Sequence, residues 1–109
     1  MIDAIVVMTT TASREEADKI TRELVERKLT ACAQIVGPIS SVYRWEGAIQ
    51  QQDEWLCLLK STRHFYPQLE AAIRELHSYD VPEIIALPVL DGCSDYLNWL
   101  HASLAAGAS

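Results

Sequence analysis

The stretch from residue 31 to residue 60, ACAQIVGPISSVYRWEGAIQQQDEWLCLLK, constrains the fold more than any other. It contains β-rich runs on both sides of a polar bend: Cys32–Ile35 and Ile39–Trp45, then the bend from Glu46-Gly47 through Gln50–Asp53, then Trp55–Leu59. β-Branched and aromatic residues that alternate up to a glycine-containing turn and resume after it predict a long antiparallel hairpin. An unpaired strand edge is a template for another chain, so a hairpin this long in a small protein predicts self-assembly.

The chain is short enough to be one domain spanning residues 1–109, with a single core and one layer of helices on a sheet. Half of the residues are hydrophobic and 22% are charged, which is typical of a globular protein. The net charge is −6 and no basic cluster occurs. Because nucleic acids and anionic membrane surfaces both select cationic proteins, we expect neither as a partner.

We expect a cytoplasmic protein. The segment Met1–Ala4 lacks the positive charge and the long apolar run of a signal peptide. No apolar stretch approaches the roughly 20 residues of a membrane span. The three cysteines, Cys32, Cys57 and Cys93, are an odd number at unrelated spacings, which does not predict a disulfide framework and favours a reducing compartment.

The remaining elements follow from hydrophobic periodicity and capping signals. They are an apolar strand at Ile5–Met8, a helix over Arg14–Leu29 that starts with a Ser13/Glu16 capping box, a helix over Phe65–Leu76, a strand over Glu83–Leu90, and a last helix from Ser94. This order predicts an α+β fold of the ferredoxin-like split βαβ type, with the first two helices on one face of an antiparallel sheet. The last helix is an addition to that repeat.

Several segments also resemble one known family. They are Ala31-Cys32-Ala33, Tyr43-Arg44-Trp45-Glu46-Gly47, Leu59-Lys60-Ser61, His77-Ser78-Tyr79, Val81-Pro82-Glu83, Leu87-Pro88-Val89 and Tyr96-Leu97-Asn98-Trp99-Leu100. Together they are similar to the CutA family of divalent-cation tolerance proteins, in the same order and over nearly the whole chain. The YRWEG and VPEI…LPV segments are the most specific of them.

The resemblance implies a ferredoxin-like fold, a tight homotrimer, and a role in divalent-metal homeostasis, copper above all. The same architecture resembles the trimeric PII signalling proteins, which bind ligands in clefts between subunits. Some relatives carry a second thiol on the first strand and a pair of histidines at the end of the second helix. This chain has Thr9 and Leu76 at those positions, neither of which is a good ligand for a soft metal.

Cys32 and His77 are the candidate metal ligands. Cys32 starts the hairpin between two alanines, and its thiolate would suit Cu(I), but it could equally be a small buried hydrophobe. His77 ends the second helix, where its imidazole could bind a metal or simply complement the helix dipole. Closely spaced Cys/His pairs, which would predict a strong zinc or copper site, are absent from the sequence.

Two further groups of residues are candidates through their place in the family-like segments. Lys60, Tyr79 and Glu83 would line an intersubunit cleft for a small anion or metabolite, with Lys60 supplying the charge. Tyr43, Trp45 and Trp99 would contribute to a trimer interface, because exposed large aromatic residues favour association. Cys57 and Trp55 are better explained as core residues, and Cys93 as an exposed thiol.

No enzyme motif is present, neither a P-loop nor G-x-S-x-G, G-x-G-x-x-G or H-E-x-x-H, so we predict a protein that is not an enzyme. Three functions remain open. The first is a trimer that binds copper or another divalent metal ion in metal tolerance. The second is a PII-like sensor with a small molecule between subunits, and the third is a stable structural trimer without a specific ligand.

Overall fold

The computed structural model describes residues 2–105. Its elements are β1 (Ala4–Thr11), α1 (Arg14–Glu26), β2 (Cys32–Trp45), β3 (Ala48–Thr62), α2 (Tyr66–Leu76, after a 3₁₀ turn at Arg63–Phe65), β4 (Ile85–Pro88) and α3 (Ser94–Ala102). The four strands form one antiparallel sheet in the order β2-β3-β1-β4. This order confirms the predicted α+β fold with a split βαβ arrangement.

The hairpin of β2 and β3 is longer than predicted. Its turn consists of only Glu46 and Gly47, with φ angles of 49° and 79°, and Trp45 pairs directly with Ala48. The expected bend over Gln50–Asp53 is wrong, because these residues pair with Ser40–Tyr43 inside the ladder. Two consecutive positive φ angles match the twist of a hairpin and need no longer loop.

A register shift between Val36 and Ile39 bends β2, as its Gly-Pro sequence predicts. At this point the backbone runs against the indole of Trp55. A Cβ added to Gly37 would lie 2.5 Å from Trp55 Cδ1, so the close approach requires glycine.

Helix α1 ends earlier than predicted and is capped at its start by one side chain only. Ser13 Oγ accepts the N–H of Glu16 at 3.1 Å, as half of a capping box would. The Glu16 carboxylate instead accepts the N–H of Ser78 at 2.8 Å, which ties the helix to the segment after α2. The predicted end at Leu29 is wrong, because Lys28 takes a φ of 59° and breaks the helical path.

The main core lies between one face of the sheet and the first two helices. It contains Ile5 and Val7 of β1, Cys57 and Leu59 of β3, Ala17, Ile20 and Leu24 of α1, and Leu69, Ala72 and Ile73 of α2. A second cluster joins α3 to the end of the sheet through Ala4, Phe65, Leu100 and Leu104. The placement of Cys57 in the core confirms its prediction as a packing residue.

On the opposite side of the sheet, within residues 2–105, α3 covers one end, where Ala4 points away from the core residues Ile5 and Val7 and clusters with Leu100. We call the part of this side that α3 leaves uncovered the open face. Alternation along the strands directs Val36, Ile85 and Leu87 to it, and these three side chains are about half exposed. Strand β4 lies at the edge of the sheet and covers only Ile85–Pro88, so the predicted bounds Glu83–Leu90 are too wide. The segment from Tyr79 to Glu83 instead forms part of a cleft beside the hairpin. None of the described helices has the length and hydropathy to cross a membrane.

Candidate functional site

A cleft of about 520 Å³ lies between the hairpin and the segment that follows α2. Its walls combine three aromatic residues, Tyr43, Trp45 and Tyr79, with three acidic ones, Glu54, Asp80 and Glu83. The other lining residues are Thr10, Ser41, Val42, Gln52 and Val81. Two of the predicted cleft residues, Tyr79 and Glu83, therefore lie together.

A hydrogen-bonded group forms the floor of this cleft. The Tyr79 hydroxyl donates to Glu54 Oε2 at 2.8 Å, and Gln52 Nε2 donates to the Tyr79 oxygen at 3.1 Å and to Glu54 Oε2 at 3.3 Å. Burial and the adjacent Glu54 carboxylate raise the pKa of Tyr79 to about 12. Tyr79 is therefore a hydrogen-bond donor at neutral pH.

The His77 imidazole fixes the position of Tyr79 through a hydrogen bond with its backbone. Its Nε2 lies 2.7 Å from the carbonyl oxygen of Thr10, and its Nδ1 accepts the N–H of Tyr79 at 3.1 Å. This pair of contacts assigns the neutral tautomer, with the proton on Nε2. Both ring nitrogens are thus engaged, and the side chain is fully buried, so a metal could reach His77 only by displacing one of these bonds.

Cys32 lies at the far end of the sheet from His77. It pairs with Lys60, whereas Thr10, the partner of His77, pairs with Leu56. Cys32 and Thr10 are thus four residues apart along the strand direction, which is about 13 Å, and two strands apart across the sheet, which is about 10 Å. The structure therefore does not bring Cys32 and His77 of one protomer into a common site.

The surroundings of Cys32 explain its partial burial. Tyr96 of α3 lies beside it, and burial together with the Cys32 thiol raises the pKa of the Tyr96 hydroxyl. Lys60, directly across the ladder, donates from Nζ to Gln34 Oε1 at 2.6 Å. Lys60 is thus a neighbour of Cys32 and does not line the cleft that contains Tyr79 and Glu83.

The three aromatic residues predicted for an interface are all accessible in the single chain. Trp45 is 52% exposed near the hairpin turn, and Tyr43 lies two residues before it. Trp99 is exposed on α3, where its ring lies 5.6 Å from that of Tyr96. Two of these residues flank the cleft and the third lies on a different element.

Residues 5–103 match the family described as CutA1 divalent ion tolerance protein. The chain belongs to this family. Among CutA relatives, the divalent-cation tolerance protein CutA of Thermus thermophilus is 45% identical over 96 residues, which cover 88% of this chain and 93% of the relative.

Solved CutA1 structures have the same fold. The structure of the Thermus thermophilus protein superimposes with a TM-score of 0.91 at 42% identity, covering 94% of this chain and 99% of the other. CutA1 from Oryza sativa gives a TM-score of 0.93 at 37% identity and covers 96% of each chain. A protein of Arabidopsis thaliana named CutA, chloroplastic, is 41% identical over 94% of this chain and 56% of its own length.

The family description and the names of the Thermus thermophilus protein refer to divalent cations, so the donor set of this chain can be compared with what a metal requires. Within residues 2–105 no group of three or more His, Cys, Asp or Glu side chains is placed to hold a metal ion. Thr9 is buried across the ladder from Cys57, and burial raises the pKa of that thiol to about 11. A protonated thiol beside a hydroxyl is a poor donor pair, so the donors of one protomer do not fit a preformed soft-metal site.

Sequence reasoning missed Glu54 and Gln52, which form the floor of the cleft. Glu54 begins an apolar run in the sequence, where a charged residue usually marks a strand end in contact with solvent, yet it is only 7% exposed. Its partner Tyr79 is 25 residues away on another segment. No local pattern indicates such a contact.

A pH-dependent effect on stability is expected at Glu83. Burial and the neighbouring Glu54 raise its pKa, so the folded protein binds this proton more tightly than the unfolded chain does. The free energy of unfolding therefore decreases as the pH rises from the pKa that Glu83 has in the unfolded chain to its higher pKa in the folded protein. We expect Glu83→Gln to raise the melting temperature slightly at pH 7, with the gain vanishing at a pH below the unfolded value.

The control for this measurement is Glu15→Gln, which removes the same charge from the exposed first turn of α1. The melting temperatures of the wild type, Glu83→Gln and Glu15→Gln, measured between pH 4 and pH 7, test this expectation. An equal gain in both variants would assign the effect to net charge instead of to the cleft.

Proposed function

We propose that this chain assembles into a homotrimer that acts in divalent-cation tolerance and binds copper or another divalent metal ion. The family match over residues 5–103 carries this proposal. The proposed role is binding and not catalysis, since none of the matched names states a reaction. Three free cysteines support a reducing compartment, for which we propose the cytoplasm.

Cys32 is the proposed point of metal contact. It is a half-buried thiol at the end of a strand, whereas Cys57 is in the core and the imidazole of His77 already makes two hydrogen bonds. Thiolates select soft ions such as Cu(I), and one thiol per protomer favours a weak or shared site. His77 would become a second ligand only if it released Thr10 or Tyr79.

Titration with Cu(I) against a chromophoric chelator tests this assignment. We expect Cys32→Ser to weaken the tightest binding step by about tenfold or more, because a hydroxyl is a much harder donor than a thiolate. Cys57→Ala is the control, since Cys57 lies in the core and burial raises the pKa of its thiol to about 11, so this change is expected to leave that step unchanged. Cys93→Ser is titrated as well, because Cys93 is exposed before α3 and backbone hydrogen bonds lower the pKa of its thiol, so a loss of binding in this variant would move the site to Cys93. Identical titration curves for wild type and Cys32→Ser would show that Cys32 is not a metal ligand.

The open face supports the proposed trimer. Its half-exposed Val36, Ile85 and Leu87 lie on the part of this side that α3 leaves uncovered, towards the two edge strands. Large apolar side chains exposed on one face of a sheet favour an interaction site there. The aromatic hairpin residues Tyr43 and Trp45 would extend the same interface.

The cleft favours a second candidate function, a sensor that binds a small molecule. It is concave, it combines aromatic walls with a few placed polar groups, and its volume of about 520 Å³ is that of an ordinary ligand site. In the proposed trimer the hairpin would bring this cleft close to a neighbouring subunit. A trimer in which neither metals nor small molecules had a specific effect would instead be a structural protein.

A further inference from the structure

Glu54 is a buried carboxylate that has no positive partner inside its own subunit. It is 7% exposed, and its hydrogen bonds come from the neutral groups of Tyr79 and Gln52. Among the described residues, no ion pair includes Glu54. Because a carboxylate is almost never buried without a paired positive charge, this arrangement indicates that the charge comes from outside the subunit.

Lys60 is the complementary charge on the same side of the sheet. The described residues of the four strands include only two lysines or arginines, which are Arg44 and Lys60. Lys60 lies six residues after Glu54 on β3, so strand alternation directs both side chains to the side opposite the main core. Arg44 alternates with Tyr43 and Trp45 and points to the other side. Lys60 is therefore the one strand cation, among the residues described, that shares this side with Glu54.

The charge of Lys60 is also uncompensated within one subunit. Its Nζ donates to the neutral Gln34 Oε1 at 2.6 Å, and no ion pair among the described residues includes it. Six residues of extended strand place Lys60 about 20 Å from Glu54, so the two side chains do not meet in one protomer. The partly buried Leu56 and Leu58 lie between them on the same side. Each charge therefore lacks a partner that a second copy of the chain can provide.

The hairpin extends far enough to make such a contact. Strand β1 pairs with β3 only from Trp55 to Thr62, so the first part of β3, residues 48–54, pairs with β2 alone and projects beyond β1 as a two-stranded ribbon. Because an isolated two-stranded ribbon is at best marginally stable, we expect a neighbouring subunit to cover it. Glu54 lies at the base of this ribbon, on the same side as the accessible rings of Tyr43 and Trp45.

A closed trimer brings unlike surfaces together. In a cyclic trimer each contact joins one surface of a subunit to a different surface of the next subunit. The Glu54 end and the Lys60 end of β3 are two such surfaces on one side of the sheet, and they carry opposite charges. Opposite charges on the two surfaces favour their contact and oppose the contact of two like ends.

We propose that Glu54 of each subunit forms an ion pair with Lys60 of the partner subunit, so that three such pairs fix the order of subunits in the trimer. This inference rests on the proposed homotrimer and names the contact that holds it. Tyr79 and Gln52 act as positioning residues, because their hydrogen bonds to Glu54 both end on Oε2 and leave Oε1 to accept from the ammonium group. The floor of the cleft is therefore complete only when a second subunit is present.

A double-mutant cycle on subunit association tests the proposal with the full chain. The variants are Glu54→Gln, which keeps an acceptor for Tyr79, Lys60→Met, which keeps most of the lysine stem, and the two changes combined. Sedimentation at one fixed urea concentration, chosen so that the wild type dissociates within the accessible range, gives the protein concentration at which half of the assembly has dissociated. We expect each single change to raise this concentration by about tenfold or more, because it leaves the other charge buried without its partner.

The double variant identifies the contact. We expect it to raise the half-dissociation concentration no more than either single variant does, since neither charge is then left unpaired. The two positions are about 20 Å apart in one subunit, where the effects of substitutions are independent, so such coupling reports a contact between subunits.

Glu15→Gln and Lys19→Met are the matched controls, because both residues are exposed on α1. We expect each of them to change the half-dissociation concentration by less than about twofold, since exposed charges far from the contact are screened. The proposal is overturned if neither Glu54→Gln nor Lys60→Met weakens association more than these controls do. It is also overturned if the double variant shows the product of the two single effects.

The same measurements separate this proposal from the trimer on which it rests. If the wild type without urea has the mass of a trimer and the two effects multiply, the ion pair fails while the trimer stands. If the wild type is a dimer and the two effects are coupled, the ion pair joins two copies reciprocally and the trimer fails. If the wild type is a monomer at micromolar concentration, both fail.

Discussion

Leu59→Ala is expected to lower the free energy of unfolding by about 3 to 4 kcal/mol. Leu59 is fully buried on β3, between Val7 of β1 and Ala33 of β2 in the ladder. Its side chain packs into the main core beneath α1 and α2. Truncation would leave a cavity that flanking strands cannot close, because their positions are fixed by backbone pairing on both sides.

Chemical denaturation of the two proteins at one protein concentration measures this loss. Leu59→Met is the matched control, since it conserves volume and is expected to cost less than about 1.5 kcal/mol. If both variants lost the same free energy of unfolding, the loss would come from the changed shape of the side chain and not from the cavity.

Leu87→Lys is expected to convert the proposed trimer into monomers. Leu87 is 49% exposed on the open face, next to Ile85 on the same edge strand. An unpaired ammonium buried in an apolar contact costs several kcal/mol per subunit. Each of the three symmetric contacts would carry this cost, and a loss of several kcal/mol per contact weakens association by about a hundredfold or more.

Sedimentation or light scattering at micromolar concentration gives the molar mass directly. Val25→Lys is the control, because Val25 is exposed on α1, on the side of the sheet away from the open face. A wild-type monomer would refute the trimer, and a Leu87→Lys trimer would move the interface to another surface.

The sequence predicts the framework of this fold well because its signals are local. Ser13 caps α1 as expected, and the Gly-Pro step bends β2 where predicted. The polar run Gln50–Asp53 misled the assignment, since most of its side chains are exposed and the run has no apolar alternation. What keeps it in a strand is pairing with β2, a contact that the sequence of β3 alone does not encode.

The candidate site was less predictable for a related reason. Tyr79 and Glu83 could be selected from their segment, but Glu54 and Gln52 join them only through tertiary contacts. The position of His77 at the end of α2 is visible in the sequence, whereas its bond to the Thr10 carbonyl depends on where β1 passes. Residues brought together across 25 or more positions follow from topology, which periodicity describes only coarsely.

The strand order has a consequence for how copies of this chain can join. The two edges of the sheet are different strands, β2 and β4, so pairing the β2 edge of one copy with the β4 edge of another is head-to-tail. Such contacts use two unlike surfaces, and they either close into a ring or continue without limit as a filament. The bend at Gly37 and the short length of β4 thus influence whether such an assembly closes. A change at either position would shift the balance between a closed ring and an open fibre.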